Sequence, residues 1–305
     1  MRAVQFRRFG PPEVLELSER PEPRAGSGQV RIRVRASGVS PVDLAVRAGR
    51  TPSRDAIVFP HVTGLDAAGV VDDVGEGVVG TALGDEVFGA VELSTLGGAA
   101  AELAVLSDWA PRPPGLTWEE AGAAGTGVET ATRALDLLDV SAGATLLVDG
   151  AAGGVGTLVV QLARARGARV FGTARRESQD FVESLGAEPV VAGPNLADRL
   201  PPSVDLALDV AGSGTLPELV ALTGRPDAVL TLSDFTARDN GVRISLGRMA
   251  GEPDGWHGLR DISGLVATGS FRVPIQHRFL FHEAAQAHAA LESGPRRGKT
   301  VLTVE

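Results

Sequence analysis

The sequence contains no cysteine and no tyrosine, and Lys299 is its only lysine. Without cysteine the chain can form no disulfide, has no cysteine nucleophile and cannot build a thiolate zinc site. Without tyrosine it has no tyrosine general acid, which excludes a Tyr-x-x-x-Lys proton relay. Several kinds of active site are therefore excluded before any motif is considered.

Long apolar runs and an excess of positive charge are also missing. No run of eighteen apolar residues occurs among the 305, the N-terminus has no hydrophobic export segment, and the formal net charge is −9. A membrane-spanning helix needs a run of about that length, and nucleic-acid binding usually needs a basic surface. We expect a cytoplasmic protein that binds neither membranes nor nucleic acid and whose partners are small molecules.

The most informative stretch runs from Ala144 to Gly156. Thr145 to Val148 is a short apolar run typical of a strand buried on both faces, and the glycines after it permit a tight turn. From Val155 to Arg166 apolar residues recur every three or four positions, which predicts a helix. Free backbone N–H groups and the positive end of the helix dipole would meet at the turn, so the stretch predicts an anion site.

The turn has the spacing Ala151-x-Gly153-x-x-Gly156, a G-x-G-x-x-G pattern with alanine in the first place. The strand–turn–helix context that this pattern requires is also predicted, so we interpret the turn as a dinucleotide site.

The end of the next predicted strand, Ala168 to Thr173, indicates which dinucleotide is bound. An NAD site places an acidic side chain near this point, whereas the 2′-phosphate of NADPH needs cations. Arg175 and Arg176 occupy the place, and we interpret the nearest acid, Glu177, as a solvated residue at the start of a helix. This favours NADPH over NADH. The alternative is that the two arginines are surface charge.

Residues 1 to about 115 show strand-like runs separated by glycine and proline, which favours a compact β-barrel or sandwich. One short helix is predicted over Val42–Ala48. The predicted strands include Val30–Ala36, Gly69–Gly75, Asp85–Gly89 and Ala101–Leu106.

The prolines of Pro111–Pro114 mark the boundary of this region, because they stop any regular element. Beyond them Thr117 and Glu120 form a capping box that begins a helix, and Val128–Leu138 is also helical. Strand and helix patterns then alternate, as in a parallel doubly wound sheet. The alternating segments are Ala144–Asp149, Val155–Arg166, Ala168–Thr173, Ser178–Leu185, Pro189–Val191, Ser203–Val210, Leu216–Leu222 and Ala228–Leu232.

The tail after residue 258 has too few elements for a domain of its own, so we expect it to return to the first domain. It predicts helices over Leu259–Thr268 and Glu283–Leu291 and a strand over Thr300–Val304. In the second domain, Gly241–Leu246 follows the fifth predicted strand and is β-branched. An unpaired edge strand invites pairing with a second copy across a two-fold axis, which predicts a homodimer.

Motifs spread over nearly the whole chain resemble the medium-chain dehydrogenase/reductase superfamily, in its zinc-independent quinone oxidoreductase (zeta-crystallin-like) branch. The resemblance implies an α/β fold with a chaperonin-10-like (GroES-like) β-barrel domain at residues 1–115 and 259–305, and a Rossmann NADP-binding domain at 116–258. The motifs are Gly38–Asp43, Gly64–Val71, Val74–Val78, Gly84–Gly89, Ala151–Gly156, Leu185–Ala187 and Arg297–Leu302.

Zinc members of the superfamily carry an early cysteine and a Gly-His-Glu stretch whose histidine binds metal. Here Ser40 lies near the first place, and Gly64-Leu65-Asp66 has no histidine. His61 alone is a poor ligand set. We expect no metal site and a structural or loop role for His61.

The resemblance also implies roles for single residues. Ser40 matches a polar position that approaches the nicotinamide, Thr130 a threonine that contacts the cofactor, and Arg176 a basic residue that binds the 2′-phosphate. Two tyrosines of many relatives are absent, so substrate contacts and adenine packing are not carried over. The implied cofactor-binding set is Ser40, Thr130, Ala152, Gly153, Gly154, Val155, Ala174, Arg175, Arg176 and Ser233.

Without a metal a carbonyl is not polarised strongly, so simple alcohols and unactivated ketones would be poor substrates. Quinones and conjugated enones need only a positioned hydride and a proton, which water, Ser40 or a cofactor hydroxyl could supply. The catalytic candidates are Ser40 and Asp43, with a structural hydrogen bond favoured for Asp43. We expect an NADPH-dependent quinone or enone reductase. The alternatives are an enoyl-thioester reductase of the same superfamily, or a non-enzymatic NADPH-binding redox sensor or structural protein.

Overall fold

The computed structural model describes residues 1–201 and 204–304, except for the side chain of Met249, and it divides the chain into two compact units. The first unit comprises Met1–Thr126, Leu259–Ala267 and the chain from Arg272 onward. The second comprises Gly127–Gly258 and Thr268–Phe271. The C-terminal tail therefore lies largely with the N-terminal residues.

The regular elements are numbered here in chain order. The helices are α1 Pro41–Arg47, α2 Trp118–Gly122, α3 Gly125–Leu137, α4 Gly156–Ala165, α5 Gln179–Glu183, α6 Leu216–Thr223, α7 Gly258–Ala267 and α8 Ala284–Ser293. The strands are β1 Arg2–Phe6, β2 Glu16–Glu19, β3 Val30–Val39, β4 His61–Val62, β5 Asp66–Val74, β6 Glu86–Val91, β7 Leu103–Pro111, β8 Thr145–Asp149, β9 Arg169–Ala174, β10 Glu188–Val191, β11 Leu206–Asp209, β12 Val229–Thr231, β13 Arg243–Ile244, β14 Ile275–Leu280 and β15 Lys299–Thr303.

The first unit is built on a closed sheet, which confirms the predicted barrel. Its strand order is β14-β15-β3-β5-β6-β7, and β3 also pairs with β7, so that β3, β5, β6 and β7 form a ring. In β3 the apolar side chains Val30, Ile32 and Val34 are buried, while the arginines between them are more exposed. Phe281 and Leu291 from the tail are buried in the same core. The tail thus supplies part of the barrel's hydrophobic interior.

The first boundary between the units falls after Thr126, later than the expected division at residue 115. The predicted capping box is confirmed, since the Thr117 hydroxyl accepts from the Glu120 N–H at 3.2 Å and the Glu120 carboxylate accepts from the Thr117 N–H at 2.9 Å. The helix that follows packs closely on the barrel: a Cβ on Gly122 would lie 2.6 Å from the carbonyl oxygen of Ala36. The prolines of Pro111–Pro114 end a strand but do not mark the limit of the unit. The close packing of Gly122 keeps residues 116–126 with the first unit.

The second unit contains a six-stranded sheet in the order β10-β9-β8-β11-β12-β13, and every pairing is parallel. This confirms the predicted doubly wound sheet. The order reverses between β8 and β11, which is the switch point where such sheets bind ligands at the carboxyl ends of their strands. The predicted strand Ser203–Val210 is observed as β11, and Ser203 itself lies outside the described residues.

The edge strand β13 consists of Arg243–Ile244 only, so the predicted run Gly241–Leu246 is mostly outside regular structure. Among the described residues, no helix has both the length and the apolar character that crossing a membrane requires.

Candidate functional site

The glycine turn between β8 and α4 has a shape that only glycine permits at two positions. Gly150 has a φ of +92°, in the left-handed region that favours glycine. A Cβ on Gly156 would lie 2.2 Å from the carbonyl oxygen of Gly150. At Gly153 the nearest atom to a Cβ is that same oxygen at 3.4 Å, which is an ordinary contact. The turn therefore leaves no room for a side chain at Gly156 but could hold one at Gly153.

Backbone donors converge at this turn. Within the described chain, the N–H groups of Gly154, Val155 and Gly156 have no acceptor, whereas the N–H of Gly153 donates to Gly150 at 3.1 Å and that of Thr157 to Gly153 at 3.0 Å. The three unpaired donors stand at the start of a ten-residue helix, where its dipole is positive. The geometry suits a bound phosphate or pyrophosphate.

Two arginines follow the carboxyl end of β9, the strand beside the glycine turn. The side chains of Arg175 and Arg176 are exposed, and neither has a hydrogen bond or ion pair to any described residue. By contrast, the exposed Arg169 at the other end of β9 pairs with Glu188 at 2.6 Å. Glu177 is also exposed. The edge of the sheet that carries the turn thus also carries two available guanidinium groups.

Three further residues of the expected cofactor set in this unit lie at or near the same edge. Ala152 lies in the glycine turn, Ala174 ends β9, and Ser233 follows β12, where its hydroxyl donates to the carbonyl of Val210 at 3.0 Å. Thr130 lies on α3, and its hydroxyl donates to Glu129 at 3.1 Å.

In the first unit, Ser40 and Asp43 form a bonded pair at the start of α1. The Asp43 carboxylate accepts from the Ser40 N–H and hydroxyl, both at 2.7 Å, and from the Gly64 N–H at 3.1 Å. Asp43 is buried, and its burial raises its pKa to about 6, against the opposing effect of the hydrogen bonds from Ser40. Asp43 therefore holds the Ser40 hydroxyl in one orientation and titrates near neutral pH.

His61 is engaged in packing and in one hydrogen bond. Its Nε2 lies 3.1 Å from the carbonyl oxygen of Leu96, its ring packs edge-on against Phe6, and burial lowers its pKa. Among the described residues, no three histidine, aspartate or glutamate side chains are grouped so that they could hold a metal ion.

Two buried acids at the carboxyl edge of the second sheet were missed by sequence reasoning. Asp149 ends β8 and Asp209 ends β11, in direct register with each other. In the sequence each acid stands at the end of an apolar run, which could have drawn attention to it. That the two acids lie side by side depends on the strand order, which no local pattern reveals.

Comparison with known proteins gives two family matches. A model described as an alcohol dehydrogenase GroES-like domain matches residues 26–111, and one described as a zinc-binding dehydrogenase matches residues 176–302.

Similar proteins cover almost the whole chain. A quinone oxidoreductase of Mus musculus is 39% identical over 99% of this chain and 97% of its own length. A 2-methylene-furan-3-one reductase of Solanum lycopersicum is 31% identical over 99% of this chain and 79% of its own length. Among solved structures, a quinone oxidoreductase from Coxiella burnetii superposes with a TM-score of 0.88 at 27% identity, covering 100% of this chain and 99% of that one.

Proposed function

The chain belongs to the medium-chain dehydrogenase/reductase superfamily, in its quinone oxidoreductase branch, and from this premise we propose that it is an NADPH-dependent oxidoreductase that reduces a quinone or a conjugated enone without a metal. The domains proposed for this activity are a GroES-like barrel and an NADP-binding Rossmann domain. Bound NADPH would supply the hydride.

The observation that carries the cofactor assignment is the pair of available arginines after β9. At the glycine turn, three N–H groups that have no acceptor in the described part of the chain are available to the pyrophosphate. Arg175 and Arg176 stand after the neighbouring strand, where a dinucleotide site places the adenosine ribose. A 2′-phosphate carries nearly two negative charges and suits two planar forks of donors. An exposed guanidinium pair with no partner among the described residues therefore supports NADPH over NADH.

The residue types support an acceptor that needs no Lewis acid. The chain has no cysteine and therefore no thiolate ligand, and among the described residues no three histidine, aspartate or glutamate side chains are grouped as a catalytic zinc site would need. A quinone or conjugated enone accepts hydride without strong polarisation by a metal. The names of the similar proteins agree with these two acceptor classes.

The proposed contribution of the barrel is a held hydroxyl. Ser40 donates its hydroxyl proton to Asp43, and its oxygen can also accept a hydrogen bond from a substrate or cofactor group. When Asp43 is protonated it can donate to Ser40, and Ser40 can then pass its own proton outward. Water and a cofactor hydroxyl are the other sources of this proton.

The test is a panel of quinones, conjugated enones and enoyl thioesters, each assayed for oxidation of NADPH and of NADH. We expect turnover with quinones or enones and a clear preference for NADPH. Turnover with enoyl thioesters alone would assign the chain to that alternative activity. Tight NADPH binding without turnover of any acceptor would instead favour the non-enzymatic redox sensor or structural protein.

A further inference from the structure

Four buried polar side chains form a continuous row across the carboxyl edge of the second sheet. Thr173 of β9 is in register with Asp149 of β8, Asp149 with Asp209 of β11, and Asp209 with Thr231 of β12. None of the four is more than 3% exposed. We call these residues the Thr-Asp-Asp-Thr row.

Asp149 joins the glycine turn to the loop that follows β11. Its carboxylate accepts from the hydroxyl of Thr173, and the oxygen of that hydroxyl accepts from the Gly150 N–H at 3.0 Å. The other carboxylate oxygen accepts from the hydroxyls of Ser213 at 3.1 Å and Thr215 at 2.7 Å. One buried acid thus fixes both sides of the switch point.

Asp209 orders the same loop from its other end. One carboxylate oxygen accepts from the backbone N–H groups of Ala211 at 3.0 Å and Gly212 at 2.8 Å. The other accepts from the hydroxyl of Thr231 at 2.7 Å. The two acids together give the loop that follows β11 four hydrogen bonds, of which two come from its backbone and two from its side chains.

Such an arrangement is costly for a sheet. Two carboxylates on neighbouring strands must be desolvated side by side, and apolar residues would fill the space at lower cost. Burial accordingly raises the pKa of Asp209, and the charge of Asp149 adds to this effect. What the acids provide is fixed loop geometry, since each carboxylate accepts three hydrogen bonds from the surrounding loops and strand ends.

We infer that the Thr-Asp-Asp-Thr row is a positioning device for dinucleotide binding. It sets the distance between the glycine turn and the loop Ala211–Thr215, and this distance determines how well the crevice accepts a pyrophosphate. The inference rests on the proposed dinucleotide site. Because NADPH and NADH share the pyrophosphate, the row governs affinity for both and leaves the choice between them to Arg175 and Arg176.

The experiment measures dissociation constants of NADPH and NADH by calorimetry for the full chain and its variants. In Asp149→Ala, which removes three hydrogen bonds, we expect both affinities to fall by about tenfold and their ratio to stay the same. Asp149→Asn keeps an acceptor and gains a donor that the hydroxyls can meet, so it should restore most of the affinity.

The matched control is Asp205→Ala. Asp205 accepts from the Thr145 N–H at 2.7 Å, which joins β8 to the segment before β11 at the opposite edge of the same sheet. This variant should lower the melting temperature without changing either dissociation constant. If Asp149→Ala does not fold, the double variant Ser213→Ala, Thr215→Val removes the loop's side of the same contacts and should show the same equal loss.

Unchanged affinities in the folded Asp149 or Ser213/Thr215 variants would overturn the inference and leave the proposed cofactor intact. A loss for NADPH alone would also overturn it, because the row would then act on the 2′-phosphate. A wild-type chain that binds neither dinucleotide would overturn the proposed function, and the inference with it.

Discussion

Asp43 is the acid of the proposed site whose protonation folding changes most. Its pKa of about 6, against an ordinary value of 3.8, results mainly from burial. The folded chain therefore binds this proton more tightly than the unfolded chain. Its contribution to stability is fully present below about pH 4 and is lost as the pH rises through about 6, an effect of about 3 kcal/mol.

Asp43→Asn should remove this pH dependence, since an amide does not titrate. We expect the free energy of unfolding of the wild type to fall between pH 4 and pH 7 by up to about 3 kcal/mol more than that of the variant. Urea denaturation at both pH values measures the difference. Parallel pH profiles for the two proteins would mean that folding leaves the pKa of Asp43 unchanged, as it would for an exposed carboxylate.

The role of a single residue was predictable where it follows from the position of that residue in a short sequence pattern. Arg175 and Arg176 stand at the end of β9, as the sequence indicated, and His61 has the structural contacts expected of it. Asp149 and Asp209 were not predicted, because their meaning depends on the register between β8 and β11, which are separated by more than fifty residues of chain.

Helices and strands were predictable where a short sequence pattern marks them. The capping box of α2 and the strand–turn–helix unit of β8 and α4 were found where a short pattern predicts them. The strands β1, β2, β4 and β14 were missed. In β1 the buried Gln5 breaks the apolar alternation, and it is stabilised by a hydrogen bond to Ser18 that sequence does not reveal. The packing of Gly122 on the barrel is likewise a non-local contact.

The glycine turn allows a prediction that separates folding from binding. In Gly156→Ala the new Cβ would collide with the Gly150 carbonyl, so both stability and dinucleotide affinity should fall, the former by about 1–3 kcal/mol. In Gly153→Ala the Cβ makes only an ordinary contact, so the free energy of unfolding should stay within about 1 kcal/mol of the wild type. The same methyl group would obstruct the approaching phosphate, so dinucleotide affinity should fall. Urea denaturation and calorimetric titration of both variants make the comparison. Equal effects of the two substitutions on stability would contradict this account of the turn.

At the scale of the whole molecule, we propose a homodimer formed through the edge strand β13. Its one strand partner among the described residues is β12, and Leu246 just beyond it is exposed. Paired edges and a buried Leu246 would stabilise a two-fold contact. Sedimentation at micromolar concentration should show a dimer, and Leu246→Glu should shift it toward monomer. A wild-type monomer under these conditions would refute the proposal.

The fold class of the molecule followed from sequence, since a barrel pattern and a strand–helix alternation each persist over more than a hundred residues. The limits of the two units did not. Prolines at residues 111–114 suggested a division at residue 115, but α2 remains with the barrel because close packing at Gly122 outweighs that local break. Domain limits depend on contacts between residues that are distant in sequence, and local sequence patterns reveal few of these contacts.

We attribute the proposed preference of this oxidoreductase for NADPH to Arg175 and Arg176. The most direct measurement is kcat/KM for NADPH and for NADH with one quinone, in the wild type and in Arg175→Ala, Arg176→Ala. Each guanidinium that engages the 2′-phosphate should contribute about tenfold, since solvent exposure weakens charge-assisted hydrogen bonds. We predict that the wild type strongly prefers NADPH, and that the double variant loses this preference through a higher KM for NADPH with its kinetics for NADH nearly unchanged. Equal use of both cofactors by the wild type, or an equal loss for both in the variant, would contradict the claim.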